Sequence, residues 1–278
     1  MIPAAPAELY LPDSRLVALI GAGGKTSLMA AMAAHAVAAG ESVISTTTTK
    51  IHPPAPDPRG VLPGDIVFWD GTGTTLPDIL ELLSRKKHLT LVRDQDPGTG
   101  KLLGLAPEAV DLLAASGMAD RIFVEADGAR GRALKAPAEH EPVIPAKSDL
   151  VIGIIGADAI GAPVDEEHVF RSERLAVLCG SRQAQMVNAR ILACLAVHRL
   201  GLFKNAPSQL IQTRRIIFVN KMDLVNAKAR QILLQARKQA KSQSKDVIPS
   251  QLWLAGSIKE KWILPVDECV FREYEESL

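Results

Sequence analysis

The sequence predicts an α/β fold, a mostly parallel β-sheet with helices on both faces. Three observations lead there. Strand-like apolar runs alternate with helix-like runs from Leu16 onward. The strand-like runs are continuously apolar rather than alternating, as strands covered on both faces are. The polar and glycine-rich motifs fall at the carboxyl ends of those runs, where open parallel sheets bind their ligands.

The elements follow in order. Leu16-Val17-Ala18-Leu19-Ile20 reads as a buried strand, and the alanine-rich Leu28–Ala39 as a helix that Gly40 stops. Ser42–Ser45 is a second strand, and a Pro-rich loop follows (Pro53, Pro54, Pro56, Pro58, Pro63). Ile66–Trp69 is strand-like, Pro77–Lys87 helical and Leu89–Val92 a strand. Pro107–Ala115 reads as a helix with proline in its first turn. Arg121–Glu125 and Leu150–Ile155 are strands, and Gln183–Leu200 a helix. Arg215–Val219 is a strand, Asn226–Lys241 a helix and Gln251–Leu254 a last core strand. We expect one domain over residues 1–278, with a Pro-rich insertion around 52–64.

Composition sets bounds. Of 278 residues, 47% are hydrophobic and 23% charged, the balance of an ordinary globular chain with a large core. The net charge of +1 gives no electrostatic case for nucleic acid or a membrane as the main partner. No apolar run approaches the ~20 residues that span a bilayer. Met1–Pro12 lacks the basic-then-apolar order of a signal peptide. The three cysteines, Cys179, Cys194 and Cys269, are odd in number and far apart, which suits reduced thiols in a cytoplasmic protein.

Gly21-Ala22-Gly23-Gly24-Lys25-Thr26-Ser27 lies between the first strand and the first helix, the order a phosphate-binding loop requires. Glycines let backbone N–H groups close around an oxyanion, and a helix N-terminus adds partial positive charge. Lys25 can reach terminal phosphates, and the Thr26 hydroxyl can ligate Mg²⁺. The full pattern G-x-x-x-x-G-K-[ST] would place a glycine at Leu19, so the loop is a shortened one, similar to that of Mur-type amide ligases. The fold expectation is thereby P-loop NTPase-like.

Four further motifs bear on chemistry. Val124-Glu125-Ala126-Asp127-Gly128-Ala129 ends a strand with two acids on alternate positions. Glu125 and Asp127 are candidates for the magnesium shell or the attacking water, and the catalytic set is Lys25, Glu125 and Asp127. Asn220-Lys221-Met222-Asp223 follows another strand and matches the N-K-x-D of guanine-binding loops, in which the carboxylate accepts from two ring donors that adenine lacks. A polar strand-to-helix turn is the plainer reading of it. Ala255-Gly256-Ser257 ends the last strand, and Gly256 and Ser257 are small enough to complete a purine pocket. Among Thr46–Thr49, the Thr47 and Thr48 hydroxyls are candidates for a second magnesium or γ-phosphate contact. Asp96–Lys101 imitates a phosphate loop but lacks the following helix, so it reads as a turn. The basic run Lys228, Arg230, Arg237, Lys238, Lys241, Lys245 reads as a solvated helix face.

Gly21–Ser27, Thr46–Lys50, Glu125–Ala129, Leu134-Lys135-Ala136-Pro137 and His140-Glu141-Pro142-Val143-Ile144-Pro145 together resemble the YqeC family of selenium-dependent hydroxylase accessory proteins, over about Leu16 to Leu254. The resemblance implies a P-loop nucleotide-binding protein that assists maturation of selenium-dependent molybdenum hydroxylases, with the hydroxylase or its cofactor as partner. It makes Lys135, His140 and Glu141 candidate site residues. The expected function is binding of a nucleoside triphosphate with Mg²⁺, GTP over ATP, and its hydrolysis, with Asn220, Lys221 and Asp223 around the base. An ATP-dependent ligase or kinase acting on a small acid or cofactor, and a non-hydrolysing cofactor-handover module, are the alternatives. Nothing in the sequence fixes the oligomeric state.

Overall fold

The structure, a computed structural model, describes residues 14–53, 64–207, 213–243 and 252–269. The elements run β1 (Leu16–Gly21), α1 (Lys25–Ala38), β2 (Val43–Thr47), β3 (Lys50–Ile51), β4 (Asp65–Phe68), α2 (Leu76–Lys86), β5 (His88–Val92), β6 (Asp94–Gln95), β7 (Leu102–Leu103) and α3 (Pro107–Ser116). They continue through β8 (Arg121–Glu125), β9 (Leu134–Lys135), β10 (Leu150–Gly156), β11 (Val169–Phe170), α4 (Ser172–Cys179) and α5 (Ala189–Val197). The last are β12 (Arg214–Asn220), α6 (Ala227–Gln243), β13 (Leu252–Ser257), β14 (Trp262–Pro265) and α7 (Val266–Cys269).

Nine strands form one sheet in the order β14-β13-β12-β10-β1-β8-β2-β5-β4. Every pair in it is parallel except β13 with the edge strand β14. β1 sits at the centre, its six residues all buried, which is why its sequence is apolar without alternation. One face, with Val17, Leu19, Phe123, Ile152 and Phe218, packs on Leu28, Met29, Met32, Ala33 and Ala36 of α1. The opposite face is covered in two blocks. Leu16, Ile44, Ile122 and Val124 meet α2 and α3, and Ala18, Ile20, Val151 and Ile217 meet α4, α5 and α6. α1 packs over β8, β2 and β1, and it begins at Lys25, just past the carboxyl end of β1.

Three differences from the sequence expectation have local causes. The helix expected over Gln183–Leu200 is the shorter α5, because Asn188 caps it, its side chain accepting from the Ile191 N–H at 3.1 Å. Helix α4 has no marker in the sequence; it starts after Arg171 in the left-handed region (φ 64) and stops at Gly180 (φ 54). β13 continues to Ser257 and turns back into β14, so the sheet ends on an antiparallel edge. The Asp96–Lys101 segment is indeed a turn, joining β6 to β7 in a small three-stranded sheet with β3. Residues 54–63 of the Pro-rich loop, the N-terminal stretch Met1–Pro12, Lys245 and Gln251 lie outside the described residues.

Candidate functional site

The loop after β1 is shaped by glycine. Gly21, Gly23 and Gly24 have φ of 91°, 98° and 125°, where an L side chain is strained. Space is closed as well. A Cβ on Gly23 would stand 2.2 Å from the Gly156 nitrogen, and one on Gly24 2.6 Å from the Asn220 side-chain nitrogen. The Ala22 N–H is tied to the Ile154 carbonyl at 2.9 Å. No side chain caps α1, and the amides of its first turn have no intrahelical acceptor. Thr26 and Ser27 are exposed on that turn.

Lys25 is buried, 4% exposed, and its ammonium folds back to donate to the Gly21 carbonyl at 2.6 Å. Two carboxylates flank it: Asp127 Oδ1 at 3.2 Å and Glu125 Oε1 at 3.7 Å. Both stand at the end of β8, the strand beside β1, so strand order brings the acids to the loop. Asp127 Oδ2 accepts the Gly21 N–H at 3.0 Å. Asp127 Oδ1 is buried, and the Lys25 ammonium at 3.2 Å is its ion-pair partner. Glu125 Oε2 accepts from the Thr26 hydroxyl at 2.7 Å. Burial works against the Lys25 charge, but the fields of Asp127 and Glu125 outweigh it and raise its pKa. Burial also pushes the Glu125 pKa up, against the opposing pull of Lys25 and Thr26.

The residues that the sequence sets around a base are placed less uniformly. Asn220 ends β12 and spends both ends of its amide on backbone: its nitrogen donates to the Gly23 carbonyl at 3.0 Å, and its oxygen accepts the Ile258 N–H at 3.1 Å. It braces the phosphate loop against the loop after β13. Lys221 (φ 65) pairs with Asp158 at 2.7 Å. Asp223 is exposed, in a short turn before α6. Gly256 lies under the Trp262 carbonyl, which a Cβ would meet at 2.2 Å, and the Ser257 hydroxyl accepts the Glu260 N–H at 3.1 Å. The Thr47 hydroxyl donates to the Glu125 carbonyl at 2.8 Å, and Thr48 to the Val143 carbonyl at 2.7 Å. These two hydroxyls therefore buttress the acidic turn, a role that β-propensity at a strand end could not foretell.

A chain of buried charge leads away from the loop. Lys135 on β9 is 1% exposed and donates to Gly128 O (2.6 Å) and Glu141 Oε2 (2.7 Å), with Asp127 Oδ2 at 3.0 Å. Arg171 clamps Glu141 with contacts of 2.7 and 3.3 Å. Burial opposes the Glu141 charge, but hydrogen bonds from Arg171 and Lys135 prevail and hold its pKa at about 2. His140 is exposed beside this chain. Arg171 and Asp158 lie outside the motifs of the sequence. Asp158 follows a strand end as Asp127 does, and that position was the available signal; Arg171 offered none.

A family model described as YqeC protein matches residues 17–173. The YqeC protein of Escherichia coli (strain K12) is 36% identical over 225 residues, covering 81% of this chain and 83% of that one. Among solved structures, the Signal Recognition Particle 54 kDa protein of Aeropyrum pernix K1 in complex with GDP is 16% identical with a TM-score of 0.39; the match covers 98% of this chain and half of that one, 50%. FtsY of Mycoplasma mycoides is 12% identical at a TM-score of 0.39, covering 96% and 70%. A GTPase of Pyrococcus abyssi in its apo form is 11% identical at 0.31, covering 94% and 96%. The chain belongs to the YqeC family.

Proposed function

We propose, for this member of the YqeC family, that the loop Gly21–Ser27 binds the phosphates of a nucleoside triphosphate with Mg²⁺, and that the protein hydrolyses it. The observation that carries this reading is the convergence on Lys25. A strand–glycine loop–helix junction holds a buried lysine between two acids of the adjacent strand, with a threonine hydroxyl bonded to one of them. A buried ammonium that raises its own pKa by pairing with acids stays charged, and a charged donor beside uncapped helix amides suits a polyphosphate.

The residues fit magnesium. Thr26 and Glu125 offer oxygen atoms 2.7 Å from one another, and Asp127 Oδ1 is a buried oxygen whose charged neighbour is Lys25 at 3.2 Å. Hard oxygen ligands of this kind suit Mg²⁺. Among the described residues no three His, Cys, Asp or Glu converge on a metal, which accords with an ion carried mainly by phosphates and water. When bound, the ion would offset negative charge on the phosphates. In the chain's own part of the reaction, Lys25 would turn from the Gly21 carbonyl to the terminal phosphates. Thr26 and Glu125 would hold the magnesium side, and Asp127 would keep the loop closed through the Gly21 N–H.

GTP is favoured over ATP on the strength of Asn220-Lys221-Met222-Asp223. Asn220 ties the phosphate loop to this turn, and Lys221 and Asp158 fix the turn, leaving the exposed Asp223 carboxylate to accept from a base. The same protein would serve maturation of a selenium-dependent molybdenum hydroxylase, the role the family resemblance implies. An ATP-dependent ligase or kinase is the second reading, favoured by the shortened loop.

The test is thermal stability with Mg²⁺ plus GTP, ATP or neither, on the native chain and on Asp223→Ala. Ligand at a hundredfold excess over Kd adds about 2.7 kcal/mol of stability. A GTP response lost in the variant supports the guanine reading. An ATP response indifferent to Asp223 overturns it and favours the ligase or kinase. No response to either overturns nucleotide binding.

A further inference from the structure

Lys135 is a buried cation that shares Asp127 with Lys25. Its side chain is 1% exposed, and its three ammonium protons face three acceptors: Gly128 O at 2.6 Å, Glu141 Oε2 at 2.7 Å and Asp127 Oδ2 at 3.0 Å. Arg171 donates to the same Glu141 Oε2 at 2.7 Å and to Oε1 at 3.3 Å; its guanidinium lies 4.2 Å from the Phe170 ring centre, with Arg130 over the same ring at 5.1 Å. Lys204 bonds the Ala138 and Glu139 carbonyls of the same segment. The cluster thus alternates in sign: Lys25, Asp127, Lys135, Glu141, Arg171, with Glu125 on the other side of Lys25. Three cations answer three carboxylates.

That balance bears on Lys25. An ammonium gripped by two uncompensated acids would resist turning to a phosphate, and the excess negative charge would repel the phosphate itself. Lys135 draws on the same Asp127 carboxylate and so loosens the grip. Glu141 competes for Lys135 and limits how far it does so. Charge this deeply buried is little screened by salt or water.

We propose that Lys135 is a positioning residue of the phosphate site: by sharing Asp127 it frees Lys25 for a bound polyphosphate, and Glu141 sets how much of the Lys135 charge Asp127 receives. The inference rests on the nucleotide-binding reading above. It has a consequence that a packing role lacks, namely that removing the two buried partners moves affinity in opposite directions. Lys135→Met leaves an excess negative charge beside the loop and weakens binding. Glu141→Gln gives Asp127 the whole of Lys135, leaves the cluster one charge more positive and tightens binding. Both variants lose buried bonds, so both lower the melting temperature without ligand.

The experiment is a titration of the full chain and each variant with GTP and with ATP, in magnesium, alongside ligand-free melting. The expected result is affinity roughly tenfold weaker in Lys135→Met and severalfold tighter in Glu141→Gln, about 1.4 kcal/mol for each factor of ten. Equal weakening in both variants, or no change in either, overturns the proposal and leaves nucleotide binding standing. If Lys135→Met does not fold, Glu141→Gln decides alone, since tightening supports the proposal and weakening or no change overturns it. A native chain that neither nucleotide binds overturns both readings.

Discussion

The side-chain nitrogen of Asn220 donates to the carbonyl of Gly23 at 3.0 Å, across 197 positions of sequence. The same side chain accepts the Ile258 N–H at 3.1 Å, so one buried amide, 5% exposed, ties the phosphate loop to the loop after β13. Between them lies β10, whose terminal Gly156 pairs in register with Asn220 and lets Gly23 approach.

Asn220→Ala would leave the Gly23 carbonyl and the Ile258 N–H without this partner. Each buried polar group so orphaned costs about 1–3 kcal/mol. We expect a loss on the order of 2–4 kcal/mol in unfolding free energy, measured by denaturant titration, with an unchanged m-value. A loss below ~0.5 kcal/mol would show that water replaces both bonds.

Gly23→Ala tests the loop itself. The new methyl would meet the Gly156 nitrogen at 2.2 Å, at a φ of 98°. The nearest atoms all belong to the backbone of Gly156 and Ile155, so backbone must move. Stabilisation by nucleotide and magnesium should disappear, while Gly40→Ala, at φ 88 but with nothing within 4 Å, should leave it intact at a strain cost of about 1 kcal/mol. Equal nucleotide responses in the two variants would show that loop geometry does not matter for binding.

Much of this arrangement was legible in the sequence. β8 runs over Arg121–Glu125, the range its apolar run marks, because β-branched and aromatic residues there end at a charge. The loop, its lysine and the Glu125–Asp127 pair stand out because glycines and acids at strand ends break the apolar pattern. What the sequence does not carry is adjacency. That β8 lies beside β1, and that Lys135 and Arg171 converge on Glu141, depends on strand order and on the two-residue pairing of β9 with β11, whose register aligns Lys135 with Phe170. Helix α4 is hidden because Arg171 enters it from the left-handed region, where no cap motif marks a start. Thr47, which ends β2, and Thr48 are readable as hydroxyls but not as buttresses, since their acceptors belong to β8 and to Val143.

Glu141 makes the acid limb of stability informative. Hydrogen bonds from Arg171 and Lys135 overcome the burial cost and depress its pKa from an ordinary 4.5 to about 2. A depressed carboxylate contributes stability that is fully present above its unfolded value and is lost as pH falls through the folded one. The window is therefore pH 4.5 down to 2. Glu141→Gln should be less stable than the native chain at pH 6, and the gap should narrow steadily below pH 4.5. A gap that stays constant to pH 2.5 would show that Glu141 does not carry the titration.

His88 acts in a separate and milder window. It opens β5, half-buried, with its Nε2 2.9 Å from the Ser45 hydroxyl. Burial disfavours the imidazolium and outweighs the attraction of Asp65, lowering the pKa from 6.5 to about 4. The unfolded chain thus binds a proton here that the folded chain refuses between pH 6.5 and pH 4. Stability conferred by neutral His88 is present above pH 6.5 and declines as pH falls toward 4. His88→Gln keeps a polar partner for Ser45 but cannot titrate. Its unfolding free energy should fall more gently than that of the native chain from pH 6.5 to 4.5, by up to one proton in the slope. Parallel slopes in that range would show that His88 charges freely in the folded protein, and that the edge of the sheet at β4 and β5 is open enough to hydrate it.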